Sequence, residues 1–543
     1  MKHLHKTIAL RLAIFCILAS ALGSCLDENP RDRIDEEEAF NTAEGLVLNT
    51  LFNLYNNIGG NKKGEGLQGT THGIYDLNTF SSDEAILPTR GVDWYDGGLW
   101  KCLYYHMFSP SMQPIESSWN YLYKVIVMCN QSLDHINKYY YLLDEYSLEA
   151  IKAEVRGIRA LYYYYLLDMF GRVPYVTSSS TSMREAKQVS RSTLFHNVWD
   201  EFQEILPALA DERSNTEGDY YGRMTRHVAW FVLAKMALNA QIWTDDDWTD
   251  DERPDGGRLL LECDGEMLNA WEACIYYCDQ LTIAGYKLEN NYENNFAVYN
   301  EESKENIFTI PMDKILYSNE FHYLFRSRHN NHGNAIGMDA ENGTSATLSA
   351  VETYGYGTNH QDKRYEMNFY SDTLYINNNM VYLDNGEPLV YYPLEISVDL
   401  TDTPFEKTAG ARMKKYELDR TAYSDGKLQD NDIVLFRYAD VLLMKSEAKI
   451  RNGEDGDTEL NAVRNRVDMG WRKATLKNIL EERLMELQWE GWRRQDLIRF
   501  GQFHLSYDMR PQLNGEDNAY TTVFPIPGRA ISLNNQLTQN PGY

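Results

Sequence analysis

Apolar side chains recur at helical spacing along seven stretches of the chain. They are Ile115 to Ile136, Leu148 to Phe170, Leu194 to Leu209, Thr225 to Trp243, Ala270 to Leu281, Phe436 to Ile450 and Leu476 to Glu490. In the second stretch, Ile151, Val155, Ile158, Leu161, Tyr165 and Met169 form one stripe, which stops at Gly171 with Pro174 beyond, a normal helix exit. Small residues recur inside the stripes: Ala160, Ala229, Ala234, Ala237, Ala240, Ala439 and Ala448. Small side chains let helix backbones approach closely. The pattern therefore predicts an all-α-dominated fold of tetratricopeptide-like helix pairs, too degenerate to show the clean repeat of about 34 residues.

Between about residues 284 and 432 the texture changes. Short β-prone pieces appear, such as Ile307 to Ile310 and Leu389 to Tyr392, among frequent Asn, Gly and Asp. This predicts an inserted loop-rich region containing minor β structure. The helical frame is expected over about 40–283 and 433–500. No Pro- or Ser-rich linker separates the parts, so residues 25–543 read as one domain, with rigidity from the helices and function on the loops.

Residues 1–24 form a separate unit. Lys2, Lys6 and Arg11 make a basic start, and an apolar run follows from Leu12 to Leu22. That run is too short to span a bilayer, which takes about 20 residues. It reads as an export signal that is removed. Leu22-Gly23-Ser24-Cys25 resembles a bacterial lipobox, in which cleavage leaves a lipidated cysteine at the new N-terminus. Asp27 and Glu28 follow, resembling the surface-export signal of Bacteroidota lipoproteins.

Charge narrows the partners. Cleavage after Ser24 would remove three basic and no acidic residues, leaving 49 basic against 80 acidic and a formal charge of −31. Such a surface argues against nucleic acid and anionic membrane, and suits a neutral ligand. The chain carries 39 Tyr and 11 Trp. Many of these lie on helical patterns, yet flat amphipathic rings are also what a sugar-binding surface requires. Beyond Cys16 and Cys25, five cysteines remain. Cys274 and Cys278 have metal-ligand spacing, but no further Cys or His joins them nearby, and the structural reading is preferred. Asp245, Asp246, Asp247, Asp250 and Asp251 form an acidic loop without the glycine and closing glutamate of an EF-hand, and read as a solvated face. No metal or cofactor is expected.

A set of phrases in order along the chain resembles the SusD/RagB family. Glu154 to Tyr163 (EVRGIRALYY) looks like that family's arginine-bearing helix, followed by Phe170-Gly171-Arg172-Val173-Pro174. Phe436-Arg437-Tyr438-Ala439-Asp440 leads to Glu447-Ala448. Leu460 to Arg464, Glu482-Arg483, Glu490-Gly491, Arg493 and Asp496-Leu497 follow, and the chain closes on Phe524-Pro525-Ile526-Pro527 and Leu537 to Tyr543. On the residues alone, these charges beside apolar stripes read as an ion-pair skeleton, because lone buried charges are costly. The resemblance implies four tetratricopeptide-like helix pairs and a variable loop-rich part. It further implies a surface-exposed outer-membrane lipoprotein, anchored at Cys25, with a glycan site and a lid-like arrangement over a SusC-like TonB-dependent transporter. It implies no hydrolysis of sugar.

Two regions are candidate ligand sites. The first, Ser81 to Trp100, is a glycine-rich loop holding Trp94, Tyr95 and Trp100 as stacking rings, with Arg90, Asp93 and Asp96 to take sugar hydroxyls. The second, Phe321 to Asn342, supplies Tyr323, Phe325, Arg326, His329, Asn331 and His332. Two alternatives stand beside glycan capture: a peptide- or protein-recruiting repeat protein, and a surface glycosidase built on carboxylates such as Asp83, Glu84 and Asp93, which would need to face each other across a cleft.

Overall fold

The computed structural model describes residues 39–250 and 252–543. Cys25 and the lipobox-like segment lie outside them, as does Asp251. Each helical stripe becomes a helix with a physical start and stop. Helix α1 (Gln113–Lys138) begins with Pro114 in its first turn, where the missing N–H costs nothing. Helix α2 (Glu145–Phe170) is capped by the Asp144 carboxylate, which accepts from the Ser147 amide, and ends at Gly171 with φ of 66°. Ser190 caps α3 (Arg191–Ile205) in the same way. Helix α4 (Arg226–Trp243) follows, and α5 (Ala270–Ile283) opens on a capping box of Asn269 and Glu272.

The frame resumes with α6 (Tyr438–Arg451), α7 (Asp457–Arg466) and α8 (Leu476–Leu487). The stripe predicted from Phe436 is corrected at its start. Phe436 and Arg437 end a strand, β2 (Ile433–Arg437), which pairs antiparallel with β1 (Asn306–Ile310). An unbroken apolar run gives no period by which to tell a buried strand from the first turn of a helix. The other sheets are two-stranded and short, as the loop-rich texture predicts.

Consecutive helices pack side by side: α1 on α2, α2 on α3, α4 on α5, α5 on α6 and α6 on α7. Ala229, Ala234, Ala237 and Ala240 are fully buried on α4, which is covered on nearly every face. A Cβ on Gly157 would meet Met224 at 2.7 Å and Ile205 at 3.2 Å, so α2 needs glycine where it meets the end of α3.

An arginine–carboxylate lattice ties the frame to the insertion. Glu486 on α8 accepts from Arg364 at 2.8 Å, from Arg437 at 2.6 Å and from Arg466. Arg437 also donates to Glu305 and Glu490, each at 2.8 Å. A second chain runs from Lys235 to Asp440 at 2.8 Å, Arg483 at 2.7 Å, Asp496 at 2.8 Å and Arg499 at 2.8 Å, closing on Glu447 at 2.7 Å. The flanking arginines hold the Glu486 and Glu447 carboxyls below their ordinary range, overriding burial, which pushes the other way. Arg156 and Arg159, midway along α2, share Glu201 of α3, at 2.9 and 2.6 Å. These are the charges that the sequence places beside apolar stripes, and their roles are structural.

Candidate functional site

The first candidate loop is built on a turn in which the Arg90 and Asp93 backbones bond each other at 3.0 and 3.2 Å. Trp94 follows with φ of 62°, a left-handed conformation that is strained for a bulky residue. Tertiary contacts hold it there. Its indole Nε1 donates to the Glu341 carbonyl at 3.0 Å, and its ring lies where a Cβ on Gly343 would sit, 2.7 Å away. Trp94 is thus half-buried, with one side committed to packing. Tyr95, next along, is 61% exposed. The two-residue turn Gly97-Gly98, with φ of 65° and 85°, then starts the short helix Leu99–Tyr104.

Other residues of this loop stand differently from the expectation. Trp100 is only 2% exposed; its Nε1 donates to Asp96 at 2.7 Å and its ring meets Phe80, His72 and Trp94 edge-on. It plugs the core and cannot be a stacking platform. Arg90 is fully buried and donates to Ser345 Oγ at 2.8 Å and to the Ala409 and Glu406 carbonyls at 2.9 Å. Burial and the nearby Arg412 guanidinium push its pKa well down. It pins the loop to residues 343–409 and offers no group to a sugar. Asp93 is exposed and paired with Lys407 at 2.8 Å. The open face therefore includes Tyr95, the free side of Trp94, Asp93 and Lys407, with Val92 and Asp96 also exposed beside them. Lys407 and Glu341 lie hundreds of residues away in sequence, where no spacing signal could have found them.

The second candidate region turns inward. Tyr323, 2% exposed, stacks on Tyr75 at 3.7 Å between ring centroids, and its hydroxyl accepts from the Gly69 amide. Phe325 is buried with Lys427 above its ring at 5.1 Å. Arg326 is clamped by Asp76 at 2.7 Å. His329 caps the short helix Asn330–Ile336, its Nδ1 accepting from the Asn331 amide at 3.1 Å, and burial lowers its pKa to about 4, so it stays neutral. His332 is buried against Tyr391 and Tyr370. Of these candidates only Asn331 reaches the surface, donating to Asp384 at 2.7 Å and lining a cleft of about 440 Å³. The aromatic and basic residues of this stretch are core: its short helices face the sheet pairs, which alternation in a loop-like sequence does not reveal.

The remaining candidates are also spent on structure. Asp83 accepts from Arg493 Nε and Nη2, at 2.6 and 2.8 Å. Glu84 is buried, accepts from the Trp489 amide, and is raised by burial to about 8. The Asp83–Glu84 pair points into the fold, not across a cleft. Cys274 and Cys278 are buried free thiols, and among the described residues no group of His, Cys, Asp or Glu is arranged to hold a metal. In the acidic loop, Asp245 pairs with Arg253 at 2.7 Å and Asp246 accepts from the Ser192 amide and hydroxyl, each at 2.8 Å. No helix among the described residues is long and apolar enough to cross a membrane.

Helix pairs braced by an arginine–carboxylate lattice, with a loop-rich insertion at one edge, define a SusD-like α-helical scaffold. The SusD family matches residues 279–543, and a family described as "Starch-binding associating with outer membrane" matches residues 79–238. The chain belongs to the SusD/RagB family. It is similar to the starch-binding protein SusD of Bacteroides thetaiotaomicron, with 24% identity across 98% of each chain. Among solved structures it resembles surface glycan-binding protein A from Bacteroides uniformis, with a TM-score of 0.70 and 18% identity over 92% of this chain and 99% of that one. It also resembles surface glycan-binding protein A from Bacteroides thetaiotaomicron in complex with laminarihexaose, with a TM-score of 0.69 and 16% identity over 92% and 99%.

Proposed function

We propose that this chain captures a neutral oligo- or polysaccharide at the outer-membrane surface, without cleaving it, and presents it to a SusC-like TonB-dependent transporter. The lipid at Cys25 would hold it there. Family membership supports the reading, as do relatives named for starch and glycan binding. The observation that carries it is the turn at Trp94 and Tyr95: an exposed ring on a backbone locked by Arg90, with a half-exposed indole beside it and Asp93 and Lys407 at the edge. A ring on a fixed backbone loses less freedom when a sugar stacks on it, so more of the dispersion and apolar contact survives as affinity. Asp83 and Glu84, the carboxylates closest to an acid pair in sequence, are held by Arg493 and by burial, which supports binding without hydrolysis.

The test is calorimetry on a panel of neutral glucans, xylan, mannan and galactan. Tyr95→Ala should weaken binding about tenfold, near 1.4 kcal/mol, while the melting temperature stays that of the parent chain. Trp94→Ala should weaken binding and also lower the melting temperature, because its indole covers Gly343. Undiminished affinity in both variants would refute this platform.

A further inference from the structure

A second groove shares no residue with that loop. It has a volume of about 710 Å³ and is lined by Tyr356, Tyr365, Phe369, Tyr370 and Tyr375, with Asp372 among them. We propose that this groove is a second site for a neutral glycan chain, an inference that rests on the glycan-capture reading above.

The rings are backed by the core. Tyr356 and Tyr365 lie 4.9 Å apart between centroids, Tyr365 and Phe369 5.0 Å, and Phe369 meets Trp489 at 5.8 Å. Tyr365 and Phe369 are buried and form the floor; Tyr356 and Tyr370 are half-buried; Tyr375 stands on the rim, 54% exposed. The rim is itself stiff. Tyr375 begins a hairpin, Tyr375-Ile376 paired with Asn379-Met380, that turns through Asn377 and Asn378. Both carry positive φ, 50° and 63°, the conformation a two-residue hairpin turn requires and one that asparagine tolerates. Beneath it, Leu374, Val381, Leu389 and Tyr391 make a small core of their own.

The polar edges favour hydroxyl-bearing ligands over charged ones. Asp372 already accepts the Tyr356 hydroxyl at 2.6 Å and the Ser371 hydroxyl at 3.0 Å. Lys414 Nζ already donates to the Glu366 carbonyl at 2.6 Å. Gln361 uses its carbonyl on the Gly357 amide at 3.0 Å, which leaves its NH₂ as a donor. Rings that stack on C–H faces, beside an edge of neutral hydroxyls and an amide, match a pyranose or furanose chain. The carboxylates of Glu366 and Asp372, on a chain of formal charge −28, disfavour an anionic ligand. Two separated sites on one rigid body would hold a long polysaccharide by avidity, without either site being tight.

The test is native electrophoresis through gels containing each polysaccharide of the neutral panel, with a lysine-rich peptide as a competitor. Tyr375→Ala should weaken retention about three- to tenfold, Tyr375→Phe should retain it, and the double variant Tyr95→Ala/Tyr375→Ala should migrate as if no polysaccharide were present. Tyr375 is an exposed rim residue, so an unchanged melting temperature is expected and makes the comparison valid. If Tyr375→Ala is retained like the parent while Tyr95→Ala is not, the groove is overturned and the glycan-capture reading stands. Displacement by the peptide with no dependence on polysaccharide would replace the glycan with a basic peptide and overturn the inference. A parent chain that no polysaccharide retards removes the glycan reading and the groove with it.

Discussion

Glu84 is a carboxyl that the fold should keep protonated. It is fully buried; its one accepted hydrogen bond from Trp489, and the more distant Lys415 and Arg493, favour the charge but do not offset the loss of water, and the pKa rises from 4.5 to about 8. Its Oε2 has no hydrogen-bond partner, which costs an anion far more than a neutral acid or an amide. A carboxyl raised in the folded state binds its proton more tightly there than in the unfolded chain. Its contribution is therefore neutral below about pH 4.5 and increasingly unfavourable as pH climbs to about 8, beyond which it is constant. A shift of that size corresponds to about 3–5 kcal/mol at 1.36 kcal/mol per unit. Glu84→Gln removes the titration and preserves the shape and the acceptor. In urea titrations at about pH 5 and about pH 8.5, the variant should gain on the parent by roughly 3–5 kcal/mol between the two conditions. The difference matters and not the absolute curve, because Lys415, lowered to about 8, and Asp432, raised to about 7, also titrate across that interval. Parallel curves for parent and variant would show that Glu84 stays ionised and would refute the argument.

Two further outcomes follow from the same structure. Trp100→Ala should cost about 3–5 kcal/mol of stability, since it empties a site among Phe80, His72 and Trp94; a melt within about 1 °C of the parent would restore Trp100 as a candidate platform. Glu486→Gln should cost about 3–5 kcal/mol near neutral pH, because three arginines lose a shared buried anion. Since the Glu486 pKa is depressed, that stability is present above the unfolded value of 4.5 and fades as pH falls, so parent and variant should converge in acid melts, and a constant gap would count against it.

What could be read in advance follows the physics of each signal. Helices α1 to α5 were legible because each has a periodic stripe and a chemical stop such as Gly171 or a start such as Ser190. The start of α6 was not, because Ile433 to Phe436 is uniformly apolar and only its pairing with β1 decides that it is a strand. The ion-pair roles of Arg437, Asp440 and Arg493 were legible as a class, since charge beside an apolar stripe must find a partner. The partners themselves were not: Glu305, Glu486 and Asp83 reach them across the fold. Aromatic residues divided worst. Tyr95 and Trp100 lie five residues apart in one loop, yet one stands in solvent and the other in the core. Composition distinguishes neither, because Trp and Tyr serve both environments. Tyr356, Tyr370 and Tyr375 carried no local signal, since one lies in a turn, one on a strand paired with Arg412-Met413 and one on a separate hairpin, and only the fold brings them together.

The division of labour between frame and loops has an energetic reason. A sugar platform needs a ring that is exposed and immobile at once, and these demands oppose each other, because the contacts that immobilise a ring usually bury it. In the platform proposed above, the ring and its anchors are separate residues. Arg90 anchors the turn from below with bonds to Ser345, Ala409 and Glu406, and Trp94 accepts a strained φ of 62° to lay one edge of its indole on Gly343. Tyr95 is then held by its neighbours and needs few contacts of its own. The hairpin at Tyr375 reaches the same end differently, with Asn377 and Asn378 fixing the turn and Leu374 and Tyr391 fixing its base. Strain of about 1–3 kcal/mol at a residue such as Trp94 persists only where the surroundings over-determine it. Such surroundings exist because the loop is pinned to the insertion, and the insertion to the helices through Arg437, Glu305 and Glu486. Weakening the arginine–carboxylate lattice should therefore loosen the loop at Trp94, and with it the proposed platform, before it unfolds the frame.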